Sequence, residues 1–242
     1  MLDRSFIEKI EDLSRNEIVE VGGRRYSTKK LHPVFESEPT TIDIHTLSGV
    51  LEFIETLPES EPLIIQVRDY DRVRLLSRLF GEFSQRSTYL ESRPPKIDLP
   101  FGRFMPVEEF VVFMRTAFVQ THHTDEILRV VGNLVVGAEA ELADDGVTQR
   151  VTVKAGVARV AKVELPNPIT LEPYRTFPEI QQPGSEFVLR IKADGEQGAK
   201  AALFEADGGA WKIKAVQMIR AWFEDRIATI RGIENRTVNI VA

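Results

Sequence analysis

Hydrophobic positions recur along this chain with two periods, and the switches between them mark its elements. Near the start, Phe6, Ile7, Ile10 and Leu13 fall on one side of a short helix over 3–16. A strand over 18–21 follows, closed by Gly22-Gly23. A second strand over 41–44 leads to Thr46, a predicted N-cap for a helix that turns Leu47, Val50, Leu51 and Ile54 inward. "PLIIQVRDYDRVRLL" alternates as two strands about a tight turn at 69–71, and a third strand is predicted at 88–91. Together these make a small α+β unit over 1–93.

Pro94, Pro95 and Pro100 then crowd into "SRPPKIDLP". Proline lacks an N–H and restricts the residue before it, so 94–100 is the predicted linker and 101–242 the second domain. The helix over 107–120 carries Phe110, Phe113, Met114, Ala117 and Phe118 at the spacing of a buried face. Thr124 is a candidate cap for the next helix, with Asp125 and Glu126 in a first turn that favours negative charge. After Gly137 the period drops to two, and turns at Asp145-Gly146 and Gly156 predict a three-stranded meander. A proline-rich crossing with an edge strand at 169–171, two strands at 187–191 and 201–206, and a helix over 210–230 complete the pattern. That last helix, with Trp211, Ala215, Met218, Ile219, Trp222 and Phe223 on one broad face, is expected to cover the second-half sheet. The predicted class is α+β, an antiparallel sheet packed by helices behind a small N-terminal unit.

Composition narrows the chemistry more than it defines it. With 43% hydrophobic residues the chain can build a real core, and its net charge of −6 gives no general attraction to nucleic acid or anionic membrane. Absence of cysteine removes thiol catalysis and sulfur-based zinc sites. No stretch approaches the ~20 apolar residues that span a bilayer, and the charged N-terminus lacks a signal-peptide core. A cytoplasmic protein without membrane contact is expected.

No nucleophile elbow, Walker loop or dinucleotide fingerprint occurs. His122-His123 with Asp125 and Glu126 is the one cluster of plausible metal ligands, but adjacent histidines diverge on a helix, whereas zinc motifs use i, i+4; His32 and His45 are distant in sequence. No metal, cofactor or catalytic residue is predicted. Arg68, Arg72, Arg74 and Arg78 surround Tyr70 but are offset by Asp69 and Asp71. "LFEADGGAWK" has the strand–glycine–helix order of a phosphate cradle, yet Glu205 and Asp207 would repel the anion, so Asp207 is read as the N-cap of the last helix. The stiff loop "PYRTFPE" sets Tyr174, Arg175 and Phe177 together, a composition common at contact surfaces. The competing expectation packs Tyr174 and Phe177 inward and pairs Arg175 with Glu172 or Glu179.

The run "DDGVTQRVTVKAGVARVAKVELPNPITLEPYRTFPEIQQPGSEFVLRIK", followed by "AALFEADGGAWK", resembles the YfdQ-like family of bacteriophage and prophage proteins, a domain of unknown function. The similarity extends back through "VEEFVVFMRTAFV" to "IIQVRDYDRV". It implies a phage-encoded protein in the bacterial cytoplasm and carries over no catalytic residue. The expected role is that of a non-enzymatic accessory protein working as a homo-oligomer, up to a closed particle, or by binding a phage or host protein. A nucleic-acid-binding helper in recombination or replication and a metal-dependent enzyme are the alternatives.

Overall fold

The computed structural model describes residues 3–22, 24–27, 37–81, 84–135, 139–144, 149–155, 158–164, 167–193, 199–229 and 237–242. The fold is α+β, as the two periods predict. Contacts divide the chain into Met1–Glu38 with Leu79–Gln85, and Pro39–Arg78 with Arg86–Ala242. The division expected at 94–100 is therefore not the one observed: that segment runs within the larger unit. The reason is topological, because the C-terminal helix and strand return to the sheet built by residues 42–92.

The smaller unit holds α1 (Arg4–Ser14) and the antiparallel pair β1 (Ile18–Val21) and β2 (Arg24–Ser27), with Ile18 opposite Ser27. The second of these strands carries no clear alternation and was not predicted. None of its described residues is buried.

In the larger unit, a mixed sheet has the order β14-β4-β5-β6-β3. Its strands are β3 (Ile42–Ile44), β4 (Leu63–Asp69), β5 (Arg72–Ser77), β6 (Thr88–Ser92) and β14 (Val238–Val241). The period-two pattern works as predicted in β4: Leu63, Ile65 and Val67 are buried while Ile64 and Gln66 are half-buried. Over that face lie α2 (Leu47–Thr56) and α5 (Ala210–Thr229). The first helix is held at its N-terminus twice. Thr46 Oγ1 accepts from Gly49 N at 3.2 Å, and the Glu179 carboxylate accepts from Ser48 N at 2.9 Å. A Cβ on Gly49 would stand 2.9 Å from both Ile44 Cδ1 and Thr46 Oγ1, so any side chain there would have to displace the capping threonine and the isoleucine tip.

The second sheet is antiparallel, ordered β11-β12-β13-β7, from β11 (Ile169–Leu171), β12 (Ser185–Ala193), β13 (Ala199–Glu205) and β7 (Met105–Pro106). The 169–171 strand lies at its edge, as predicted. Here α3 (Val107–Ala117) and α4 (His122–Val135) supply the cover, with Phe110, Met114, Phe118, Ile127 and Val131 against Phe187, Leu189 and Leu203. The meander forms a third sheet from β8 (Glu139–Asp144), β9 (Gln149–Ala155) and β10 (Ala158–Glu164). Its expected turns at Asp145-Gly146 and Gly156 lie outside the described residues.

Two expectations need correction. The last helix does not cover the second-half sheet; Trp211, Ala215, Ile219 and Phe223, four apart, form a narrow stripe. The Ile219 and Phe223 end of that stripe packs against Leu63, Ile65 and Val73 of the five-stranded sheet. Its placement depends on β14, which pairs in parallel with β4. Thr124 does not cap α4 from outside. It sits in the first turn and exchanges hydrogen bonds with Thr121, accepting from Thr121 N at 2.6 Å and donating its own N–H to Thr121 Oγ1 at 3.4 Å, a threonine version of the capping box.

Candidate functional site

The loop expected to be a contact surface is a bolt between the four-stranded and five-stranded sheets of the larger unit. Pro173 bridges to Phe118, and Tyr174 N donates to Ala117 O at 2.8 Å, which anchors the loop to the end of α3. Buried Gln182 closes it: Oε1 accepts from Arg175 N at 3.1 Å and Thr176 N at 3.3 Å, while Nε2 donates to Phe177 O at 3.0 Å. Thr176 Oγ1 donates to Tyr70 O on the β4–β5 turn. Phe177, at 0% exposure, enters the core under the five-stranded sheet. Of the three residues named from the sequence, Tyr174 alone is exposed, at 36%, while Arg175 is half-buried and Phe177 buried.

Arg175 crosses the other way. Its side chain is only 4% exposed, and Nη1 lies 2.5 Å from Glu205 Oε1 on β13. Nη2 donates to Ser185 Oγ on β12. The guanidinium carbon stands 3.6 Å from the Trp211 ring centroid and 5.9 Å from that of Phe187, so one cation joins an aromatic ring from each layer. Nε is buried without a hydrogen-bond partner. Burial pushes the group down to about 10, against the upward pull of Glu205 and Asp207. Neither Glu172 nor Glu179 is the partner. Sequence proximity favoured them, whereas strand pairing brings Glu205 opposite Phe187.

Beside this bolt opens a cleft of 380 Å³ between the 69–71 turn, the 94–101 segment and the start of α5. Tyr70 and Trp211 make an aromatic wall, their centroids 4.7 Å apart and nearly edge to face. Pro94, Ile97 and Phe101 add apolar lining, and Lys96, Asp71 and Lys212 add charged lining. Burial raises the Tyr70 hydroxyl, with Asp71 and Asp69 adding to the effect. The proline-rich segment, predicted as a linker, is one wall of this cleft.

In the Asp207-Gly208-Gly209 corner, Asp207 stands three residues before α5 rather than at its N-cap position, yet its carboxylate does a cap's work. Asp207 Oδ1 accepts from Gly209 N at 3.0 Å and Oδ2 from Trp211 N at 3.3 Å, while Gly208 and Gly209 hold φ of 61° and 85°. A carboxylate already occupies the helix N-terminus, which leaves no cradle for phosphate there.

The arginine patch also differs from expectation. Arg74 Nε lies 2.5 Å from Glu91 Oε2, Arg93 Nε lies 2.5 Å from Glu91 Oε1, and Arg72 approaches the same carboxylate at 3.7 Å. Burial would raise Glu91, yet hydrogen bonds from Arg74 and Arg93 hold it below the ordinary carboxyl value. No sequence motif links Glu91 to these arginines; antiparallel pairing of β5 and β6 does.

The histidines stay apart in function. His122 Nε2 lies 3.3 Å from Glu126 Oε1, one helical turn on, while His123 Nδ1 meets Thr170 O at 3.0 Å. Among the described residues no three His, Asp or Glu side chains gather at metal-binding distance; His32 lies outside them. No helix among the described residues is long and apolar enough to cross a membrane. Compared with protein-family models, curated proteins and solved structures, the chain matches none.

Proposed function

We propose that this chain is a non-enzymatic phage or prophage accessory protein of the bacterial cytoplasm that works by self-association, a second copy docking on the apolar face of α1. The observation that carries the reading is the exposure of that face: Phe6, Ile7, Ile10 and Leu13 are each between 46% and 70% exposed. Alone, an 11-residue helix is marginal, since isolated helices shorter than ~12–15 residues are barely stable in water. Burying such side chains is worth about 1.5–3 kcal/mol each, so a cover for this stripe changes the balance.

A second copy suits the face because the stripe is self-complementary. Phe6 to Ile10 to Leu13 follows the four–three spacing of a helix-pairing seam. Its surroundings mix Arg4, Lys9 and Arg15 with Glu8, Glu11 and Asp12, so two identical helices present each other both signs rather than one. The phage setting rests on the sequence resemblance.

Light scattering after size-exclusion chromatography tests the reading across a concentration series. A dimer or larger species is expected, and the Ile10→Glu, Leu13→Glu double variant is expected to run as a monomer. Strict monomer behaviour of the unaltered chain at micromolar concentration overturns self-association; co-purification of a different, stoichiometric protein on this face replaces the second copy as occupant.

A further inference from the structure

Two clefts meet at Lys212. Beyond the aromatic cleft lies another of 420 Å³, bounded by Arg68, Ile213, Val216 and Arg220, and Lys212 lines both. The ammonium of Lys212 is 5.4 Å from the Tyr70 centroid and 5.8 Å from that of Trp211, so a charge stands directly over the aromatic wall.

The charge along this track runs against that of the whole chain. Its side chains include five cations, Lys96, Arg175, Lys212, Arg68 and Arg220, against three anions, Asp71, Glu205 and Asp69. Arg175 and Glu205 satisfy each other, and Arg220 holds Glu224 at 2.8 Å on the open surface. Lys96, Lys212 and Arg68 form no ion pair among the described residues, and all three are exposed. Three free cations thus line a path with a half-buried tyrosine and a proline–isoleucine wall beside it. An aromatic wall with unpaired cations lining the same clefts suits an aromatic base attached to phosphate. A duplex hides its base faces and cannot use the aromatic wall. A plain anion leaves that wall unused.

We propose that the joined clefts bind a nucleotide unit of a short single strand, its base against Tyr70 and its phosphates held by Lys96, Lys212 and Arg68. Asp71, on the cleft lining, accepts from a base N–H, which thymine supplies at N3, and selects against a bare polyanion. The site is independent of α1 and does not rest on self-association.

Fluorescence anisotropy of a labelled short oligothymidylate on the full chain at low salt reads the proposal. Saturable binding is expected. Tyr70→Ala is expected to weaken it about tenfold, the loss of one stacked base. Lys96→Glu and Lys212→Glu, both on exposed positions that leave the core untouched, are each expected to lower the slope of log K against log salt by about 0.7. Adenosine monophosphate and inorganic phosphate are the competing arms. Competition by the monophosphate as strong as by the strand supports the nucleotide site and moves its source to a free nucleotide. Competition by phosphate equal to that of the monophosphate overturns the role of the base. Absence of binding at low salt, or variants that bind like the parent chain, overturns the site itself.

Discussion

Phe110, Phe118, Phe177, Phe187 and Phe223 in the larger unit are at most 1% exposed, whereas Phe6 in the smaller unit is 52% exposed and Leu13 70%. Both units have amphipathic helices and alternating strands, so pattern does not separate them. What separates them is the availability of a second layer. In the larger unit α2 and α5 meet the five-stranded sheet, and α3 and α4 meet the four-stranded one. Among its described residues the smaller unit has one short helix and a two-stranded ribbon, which is below the size at which a sheet is stable alone. Of fifteen large apolar side chains exposed among the described residues, nine lie in this unit (Leu79 included), which is why we look there for a partner.

Four variants test this contrast. Phe177→Ala removes the aromatic plug of the five-stranded core and is expected to cost about 3–5 kcal/mol in urea unfolding. A loss under 1 kcal/mol would mean the loop does not bolt the layers together. Arg175→Met leaves Glu205 without its cation and Ser185 without a donor. Because Glu205 is 38% exposed, water replaces part of the bond, and the expected loss is about 2–3 kcal/mol. Glu91→Gln is expected to cost about 1–2 kcal/mol at neutral pH and to change the acid limb. Glu91 sits below its ordinary value of 4.5 in the fold, so its contribution is complete above that value and is lost as pH falls through the lowered one. Melting curves of the variant should therefore lack that part of the acid destabilisation; an unchanged acid limb would show that the three arginines do not hold the carboxylate. The smallest effect is expected in the smaller unit: Ile10→Glu with Leu13→Glu should shift the dilute unfolding midpoint by no more than about 0.5 kcal/mol. A large loss there would mean α1 already has a core within the single chain, and the contrast would collapse.

Local rules were readable where a residue's role depends on its neighbours. Thr46 caps α2 and Asp207 caps α5, and both could be named from sequence because a cap needs only an acceptor before a periodic run. The buried stripe Phe110, Met114 and Ala117 and the strand alternation about 69–71 were readable for the same reason. The candidate clefts were not. Lys96, Tyr70, Arg175 and Lys212 come from four distant segments, and no spacing joins them.

Sequence by itself determined the α+β class, most element positions, the capping roles of Thr46 and Asp207 and the absence of thiol chemistry, since periodicity, capping and composition act over a few residues. Tertiary structure alone decided that α5 and β14 return to the first sheet, that Arg175 answers Glu205, and that a proline segment expected as a linker forms a cleft wall. Each of those depends on which apolar face finds which partner. Many pairings bury similar area, so the choice among them is made by the packing of the whole chain and leaves no local mark.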